Sequence, residues 1–360
     1  MVDLRRNKVA QLIRRKQEKT LEETSQDVEE TLLKPAERKK PLDYDRVVST
    51  GSTLLDLAIS GGRRRGGGIP AGIVVEIFGP EATGKTALAA EISAHIQARG
   101  GKTKFADPEA RLDQEYCEIY GLHLNEKEDY SRPDTVTELF DAIWEWETEP
   151  GKINAYVADS IAALSTKLEM GESGDKMGMR RAKEFSEGMR KTCRKISSND
   201  KLIILTNQIR DTTGGAEEST GGHAIKFYSS LRLKTAFEFP NKYIKKSSTI
   251  TQKVTAEKVL GINTTVRVVK STVDDPYREA PIRIVFGYGL DDIRANLEYL
   301  KKMTGVSKFP AIDKDWQSLE GAIKYIEDKG YQEQLRERTI DLWEEIDQKL
   351  RVERKPKVRT

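Results

Sequence analysis

Two cysteines in 360 residues, Cys117 and Cys193, stand alone and form neither a disulfide framework nor a metal-ligand pair. Each falls in a helix-like segment, where a free cysteine behaves as a small buried hydrophobe. Long apolar runs are missing as well: no stretch approaches the about 20 residues that a membrane span needs. Met1-Val2-Asp3-Leu4-Arg5-Arg6 lacks the apolar core of a secretory signal, so a cytoplasmic protein without a membrane partner is expected. An excess of one charge is also lacking: Lys and Arg total 61 against 58 Asp and Glu, a net of +3 that says little about partners. What remains is a heavily solvated chain, 33% charged and 37% hydrophobic, long enough for one large domain with appendages.

Charge distribution says more than net charge. Arg5, Arg6, Lys8, Arg14, Arg15 and Lys16 crowd the first 18 residues, and the last fourteen carry six basic side chains against Asp347 and Glu353. Such runs are either solvated faces or attractors of polyanions. Residues 1–34 read as helical, with Val9, Leu12 and Ile13 on one stripe too short to make a core alone, so this segment is expected to dock on its own domain or a neighbour's. A charged linker with two prolines follows, giving an oligomerisation segment and linker over 1–48. Gly61 to Gly68 encloses Arg63, Arg64 and Arg65, which fits either a solvated tip or a phosphate contact.

From Ile73 onward, strand-like and helix-like runs alternate: 73–78, helix 86–99, 102–106, helices 113–120 and 135–147, 153–158, helix 179–197 and 202–206. That alternation predicts an α/β fold with a mostly parallel twisted sheet and helices on its faces. Thr135 with Glu138 fits a capping box, and Val136, Leu139, Phe140, Ile143 and Trp144 share one face, read as core. After Leu231, three short strands are expected at 254–259, 265–270 and 282–286, and from Asp291 the chain reads as helical and charged. The resulting division is a core over 49–291, a small α-rich domain over 292–345 and a basic tail over 346–360.

Chemistry is concentrated at Gly79-Pro80-Glu81-Ala82-Thr83-Gly84-Lys85-Thr86, a G-x-x-x-x-G-K-[ST] run between a strand and a helix. In that context backbone N–H groups wrap phosphates at a helix N-terminus, Lys85 neutralises the β- and γ-phosphates of a nucleoside triphosphate, and Thr86 holds Mg²⁺. Asp159 ends the strand 153–158, where an acid either reaches the metal through water or caps a helix. Strand 102–106 runs into Asp107-Pro108-Glu109-Ala110-Arg111-Leu112-Asp113; Glu109 is placed to orient or deprotonate water, while Asp107 and Asp113 read equally as caps. Asn207-Gln208 follows strand 202–206, where an amide can sense the γ-phosphate. Two polar, Gly-rich loops, 169–178 and 211–222, have Arg180, Arg181, Lys183 and Arg190 nearby; they are ordinary surface loops or a track for single-stranded nucleic acid.

Taken in order, Gly-Pro-Glu-x-x-Gly-Lys-Thr, Asp-x-Glu-x-x-Leu-Asp, Asp159-Ser160-Ile161-Ala162-Ala163-Leu164, Thr206-Asn207-Gln208-Ile209-Arg210 and Thr220-Gly221-Gly222-His223-Ala224-Ile225-Lys226-Phe227-Tyr228 resemble the bacterial RecA recombinase family over about residues 46–300. The resemblance implies a RecA-like P-loop ATPase core, with an N-terminal helix and a small C-terminal domain. It also implies a helical filament of this chain on single-stranded DNA that pairs with homologous duplex, exchanges strands and hydrolyses ATP with Mg²⁺. By the same resemblance Glu109 activates water, Gln208 senses the γ-phosphate and Tyr116 lies against adenine. Met177 falls in the first DNA loop and Arg190 contacts the DNA backbone, while Arg210, Thr220, Gly221 and Gly222 belong to the second loop. Lys226 and Phe227 line the subunit interface, and Lys270 reaches the neighbour's ATP.

The chain departs from the family pattern at several points. Thr272 replaces a second interface lysine, the second loop is short, and Ala182 replaces an arginine for which Arg180 and Arg181 can substitute. The 61–68 loop is longer and more basic than its counterpart, and a basic tail replaces an acidic one. Two other functions compete: a regulatory paralogue that binds ATP and DNA, or a recombinase, without exchanging strands, and a hexameric helicase-type motor on the same nucleotide fold.

Overall fold

Period-two alternation decides how the central strands are used. In the computed structural model, which describes residues 46–166, 177–196, 200–211, 217–219, 222–251 and 254–354, Ala155, Val157, Leu202 and Ile204 point into one apolar layer. Tyr156, Ala158, Ile203 and Leu205 point into another. A strand buried on both faces reads as a nearly continuous apolar run, which is the pattern of a parallel sheet covered by helices.

The first layer packs under helix α2 (Lys85–Ala98) through Leu88, Ile92 and Ile96, together with α1 (Thr53–Ser60). The second lies under α4 (Val136–Glu145), α5 (Met177–Lys195) and α6 (Gly222–Tyr228). Thr135 and Glu138 close the capping box of α4 reciprocally. Gly188 lets α5 cross directly over Phe140, whose ring occupies the space a Cβ would need.

Between these layers runs an 11-stranded sheet. Its parallel part is ordered β9 (Leu231–Phe237), β3 (Val74–Gly79), β7 (Lys201–Asp211), β6 (Asn154–Ala158), β4 (Thr103–Ala106) and β5 (Tyr130–Ser131). Beyond β9 the sheet continues antiparallel through β11 (Val254–Ser271), β12 (Glu279–Val285) and β13 (Gly289–Leu290), with β10 (Tyr243–Thr251) also on β11 and β8 (Glu217–Ser219) on β7. A separate pair, β1 (Val47–Val48) with β2 (Ile69–Pro70), precedes β3.

Two expectations are corrected here. The strands expected at 254–259 and 265–270 are one 18-residue strand, because Gly261, Ile262 and Asn263 stay paired with β12 and carry the ladder across the break. The region after Asp291 is not helical throughout. Helix α7 (Asp292–Thr304) leads into a hairpin of β14 (Phe309–Ala311) and β15 (Lys314–Trp316), then α8 (Leu319–Lys329) and α9 (Gln332–Lys349).

These helices share a core of Ile293, Leu297, Leu300, Ile323, Ile326 and Leu335. They are joined to α1 by Asp292, which accepts from the Thr53 N–H and hydroxyl at 2.7 and 2.6 Å. The 61–68 loop is tied down too: the Arg65 guanidinium meets Glu337, Asp341 and Glu344, all on α9, each at 2.7 Å. All described residues belong to one compact unit, Pro41–Thr360; residues 1–45, including the predicted N-terminal helix, lie outside them, as does 355–360 of the tail.

Candidate active site

Parallel register brings the predicted residues to one edge of the sheet. Gly79 at the end of β3 lies opposite Gln208 on β7. Ala158 at the end of β6 lies between Leu205 of β7 and Ala106 of β4, so Asp159 and Asp107 emerge side by side. Ligands of open α/β sheets bind at such carboxyl ends.

Between β3 and α2 the loop turns through left-handed conformations at Ala82 (φ 57°) and Gly84 (φ 85°). The left-handed backbone favours glycine at 84, and a Cβ there would also have to push aside the Ile284 Cδ1 methyl. Thr83 fastens the loop: its hydroxyl donates to the Pro80 carbonyl at 2.8 Å and lies 2.7 Å from the Thr235 hydroxyl, and its carbonyl accepts from Thr264 at 3.2 Å. Lys85 Nζ is folded into the loop, donating to the carbonyls of Pro80 at 2.6 Å and Gly79 at 3.1 Å. Burial lowers its pKa, and the nearby Asp159, Glu81 and Glu109 oppose that shift. A phosphate reaching this loop offers the ammonium a charged partner in place of two carbonyls.

Asp159 is half-buried; the Thr206 hydroxyl donates to its carboxylate, and the Thr86 hydroxyl lies near enough to favour its charged form. Burial raises its pKa, and those two hydroxyls oppose the shift. The Thr86 hydroxyl and the Asp159 carboxylate are neighbouring hard oxygen donors suited to Mg²⁺, which takes few protein ligands and keeps waters and phosphate oxygens for the rest. Thr86 and Asp159, separate in the sequence, therefore fit the metal.

Glu109 reaches the same edge because Asp107 ties its loop back, accepting from the Leu112 N–H and the Tyr130 hydroxyl, each at 2.8 Å. One oxygen of Glu109 then accepts from Gln208 Nε2 at 3.4 Å, and the other faces Arg111 at 2.8 Å. Asp113 caps α3 (Gln114–Ile119), accepting from the Tyr116 N–H at 2.7 Å. The Tyr116 ring is tilted against Tyr120 at 5.1 Å, and its hydroxyl accepts from that of Tyr120 at 3.1 Å. Burial, with Tyr120 and then Asp159 nearby, pushes the Tyr116 phenol upward.

Beneath this edge lies a buried ion pair that sequence reasoning missed. Glu76 on β3 is fully buried; Arg232 Nε meets one of its oxygens at 2.5 Å, and Asn207 Nδ2 donates to the other at 3.1 Å. Asn207 Oδ1 in turn accepts from the Gln208 N–H at 3.0 Å, so the carboxylate fixes which way the Asn207 amide points and, through it, the backbone of Gln208. The available signal was one acid inside the otherwise apolar run Ile73 to Phe78.

Lys270, opposite Arg232 on β11, points to α6 and donates to the carbonyls of Lys226 at 2.9 Å and Phe227 at 2.7 Å. A cation on the last turn of a helix is well placed. Its pKa is lowered by burial and by Arg232. The Phe227 ring beside it is 74% exposed.

On α5, Arg180, Lys183 and Arg190 are exposed. Arg181 turns inward and donates to the carbonyls of Ile161 and Ala162 at 3.1 and 2.7 Å. Met177 opens α5 and Gly222 opens α6. Residues 167–176, Thr220 and Gly221 lie outside the described residues, as do the side chains of Met177 and Arg210. Among the described residues, no helix is long and apolar enough to cross a membrane.

The model of the RecA N-terminal domain matches residues 18–291 of this chain. The chain belongs to the RecA family. The chain is 36% identical to Protein RecA of Delftia acidovorans over 271 residues, 71% of this chain and 68% of that protein. It is 34% identical to Protein RecA of Clostridioides difficile over 316 residues, 85% and 82% of the two chains. RecA-type recombinases are ATP- and DNA-binding proteins of recombination and repair, and the segment matched to the family model contains every site residue described above. Helices α7–α9 lie beyond it.

Proposed function

We propose that this chain is an ATP-dependent recombinase that assembles as a helical filament on single-stranded DNA, pairs it with homologous duplex and exchanges strands while hydrolysing ATP. The observation that carries this reading is the convergence of Lys85, Thr86, Asp159, Glu109 and Gln208 on one sheet edge, within a chain of the RecA family. Lys85 and the loop N–H groups bind the phosphates, and Thr86 and Asp159 hold Mg²⁺, Asp159 through water. When bound, Mg²⁺ neutralises phosphate charge. Glu109 takes a proton from the attacking water, and its contact with Gln208 makes its position responsive to the γ-phosphate that Gln208 senses. Tyr116 packs on the base. Lys226, Phe227 and Lys270 form the subunit interface, where Lys270 leaves the carbonyls of α6 for the neighbour's nucleotide. DNA is contacted by Arg180 and Arg190 on α5, by Met177, and by Arg210 and 220–222 of the second loop; Arg181, expected among these contacts, is turned instead to the carbonyls of Ile161 and Ala162.

The test combines purified protein, labelled single strand, homologous duplex, ATP and Mg²⁺. Joint molecules that disappear in Lys85→Ala and Glu109→Gln support the proposal. ATP-dependent DNA binding without joint molecules favours a regulatory paralogue, a reading to which Thr272 lends weight because it removes one cation from the interface. Unwinding of a forked duplex by ring-shaped particles would replace both with a helicase-type motor.

A further inference from the structure

Strands β10 and β11 leave the main sheet together as a two-stranded ribbon. Pairing with β12 covers β11 only from Gly261 to Arg267, and pairing with β9 only from Thr264 to Ser271. Thr255 to Val259 is therefore paired with β10 alone among the described residues. Both faces of the ribbon stand in solvent, since every residue from Lys245 to Thr249 and from Thr255 to Val259 is exposed. A two-stranded ribbon with no apolar face gains little from folding, so its stability does not explain its presence.

Its charges are arranged against that stability as well. Lys246 lies directly opposite Lys258 in the register, on one face. Like charges directly opposite across a strand pair destabilise it. Relief from within the ribbon is not at hand: Glu257 points to the other face, where it pairs with Lys245 at 2.7 Å. An anion seated between the two ammonium groups converts their repulsion into binding. The Ser248 hydroxyl shares that face and supplies a further donor.

We propose that the β10–β11 ribbon is a duplex-DNA contact in which Lys246 and Lys258 grip the phosphate backbone. Three features favour a duplex over other polyanions. Lys, Ser and Thr side chains are the groups that bind phosphate oxygens, and a two-stranded ribbon fits the major groove. Single-strand recognition uses aromatic platforms, and none lies among the exposed residues from Lys245 to Thr249 or Thr255 to Val259. Protein interfaces draw their affinity from aromatic and Arg anchors and are depleted in Lys and Ser, the opposite of this surface. The inference rests on the recombinase reading in that it takes DNA to be what the chain acts on, and it adds a duplex contact apart from α5 and the two loops.

The experiment is fluorescence anisotropy of a labelled duplex and a labelled single strand with the full chain across a salt series. Wild type is compared with Lys246→Ala/Lys258→Ala and with Lys246→Arg/Lys258→Arg. Two lost phosphate contacts make the duplex plot of log K against log salt shallower by about 1.8. The arginine pair retains the wild-type slope, and circular dichroism and nucleotide binding stay unchanged in both. An unchanged duplex slope in the alanine pair, or a loss confined to single strand, overturns the proposal. An unchanged slope accompanied by weaker self-association assigns the ribbon to an acidic surface of a second copy and overturns it equally. If wild type binds neither form of DNA, the recombinase reading and the ribbon fall together; duplex binding by wild type with no change in the variant sinks the ribbon alone.

Discussion

Replacing Arg232 with leucine isolates the buried pair that supports the nucleotide edge. In the native chain Glu76 is wholly buried, with Arg232 on one oxygen and Asn207 on the other. Arg232→Leu leaves a carboxylate with a single neutral donor in a dry interior. Breaking one side of a buried ion pair costs about 3–5 kcal/mol, because the remaining charge keeps its desolvation penalty and loses its attraction. Arg232 also lies over the Phe78 ring at 4.3 Å, and that packing is lost too, which places the expected cost toward the upper end. Adding Glu76→Gln removes the stranded charge and keeps an acceptor for Asn207, so the double variant should recover most of the loss. The measurement is urea unfolding of wild type, both single variants and the double variant, followed by circular dichroism and read as a double-mutant cycle. A cost below about 1 kcal/mol for Arg232→Leu, or a double variant as unstable as that single, would refute the argument that Glu76 is a charge held by its partner. The folded double variant carries the functional corollary: with the Asn207 amide less firmly held, ATP hydrolysis falls while nucleotide affinity changes little.

Other variants probe the site and its supports. Glu109→Gln should retain nucleotide binding and lose about 10²–10⁴-fold in hydrolysis rate, the usual worth of a general base, and a steady-state phosphate-release assay reads it. Asp56, its carboxylate accepting from Ser49 and Thr50, is pushed by burial from 3.8 to about 6. The folded state then holds the proton more tightly, so this contribution to stability is complete below pH 3.8 and is lost as pH rises through about 6, by roughly 3 kcal/mol. A pH series of urea midpoints should show that decline, and Asp56→Asn should flatten it. Arg65→Ala should cost no more than about 1 kcal/mol in the same unfolding assay, because its three ion pairs on α9 are solvent-exposed; a larger loss would mean that the clasp orders more than it touches.

Much of the fold was legible because its signals are local. The capping box at Thr135 and Glu138 needs four consecutive residues, and the helix it opens ends within two residues of its predicted bound. Strands β3 and β6 follow from short, mostly apolar runs between helices. The split of β11 was misjudged because Gly261 and Asn263 look like a turn in isolation, while cross-strand pairing with β12 holds them extended. The β14–β15 hairpin was missed for the converse reason: three-residue strands carry too little periodicity to register. The basic 61–68 loop read equally well as a solvated tip or a phosphate contact, since its main partners lie more than 270 residues away on α9.

The sequence by itself determined that this protein has a phosphate loop on a parallel α/β core, because strand-loop-helix context and residue spacing are encoded within a few dozen neighbouring positions. It also named Glu109, Asp159 and Gln208, each recognisable as a polar residue just beyond the predicted strand run before it. Only the tertiary structure decided that these residues meet: the register that sets Gly79 against Gln208 and Ala158 against Leu205 is a property of pairing between distant segments. The same holds for what lies beneath and beyond the site. Glu76 needs Arg232 from 156 residues away to be tolerable in the core, and Lys246 acquires its meaning only when β11 folds back to set Lys258 opposite it.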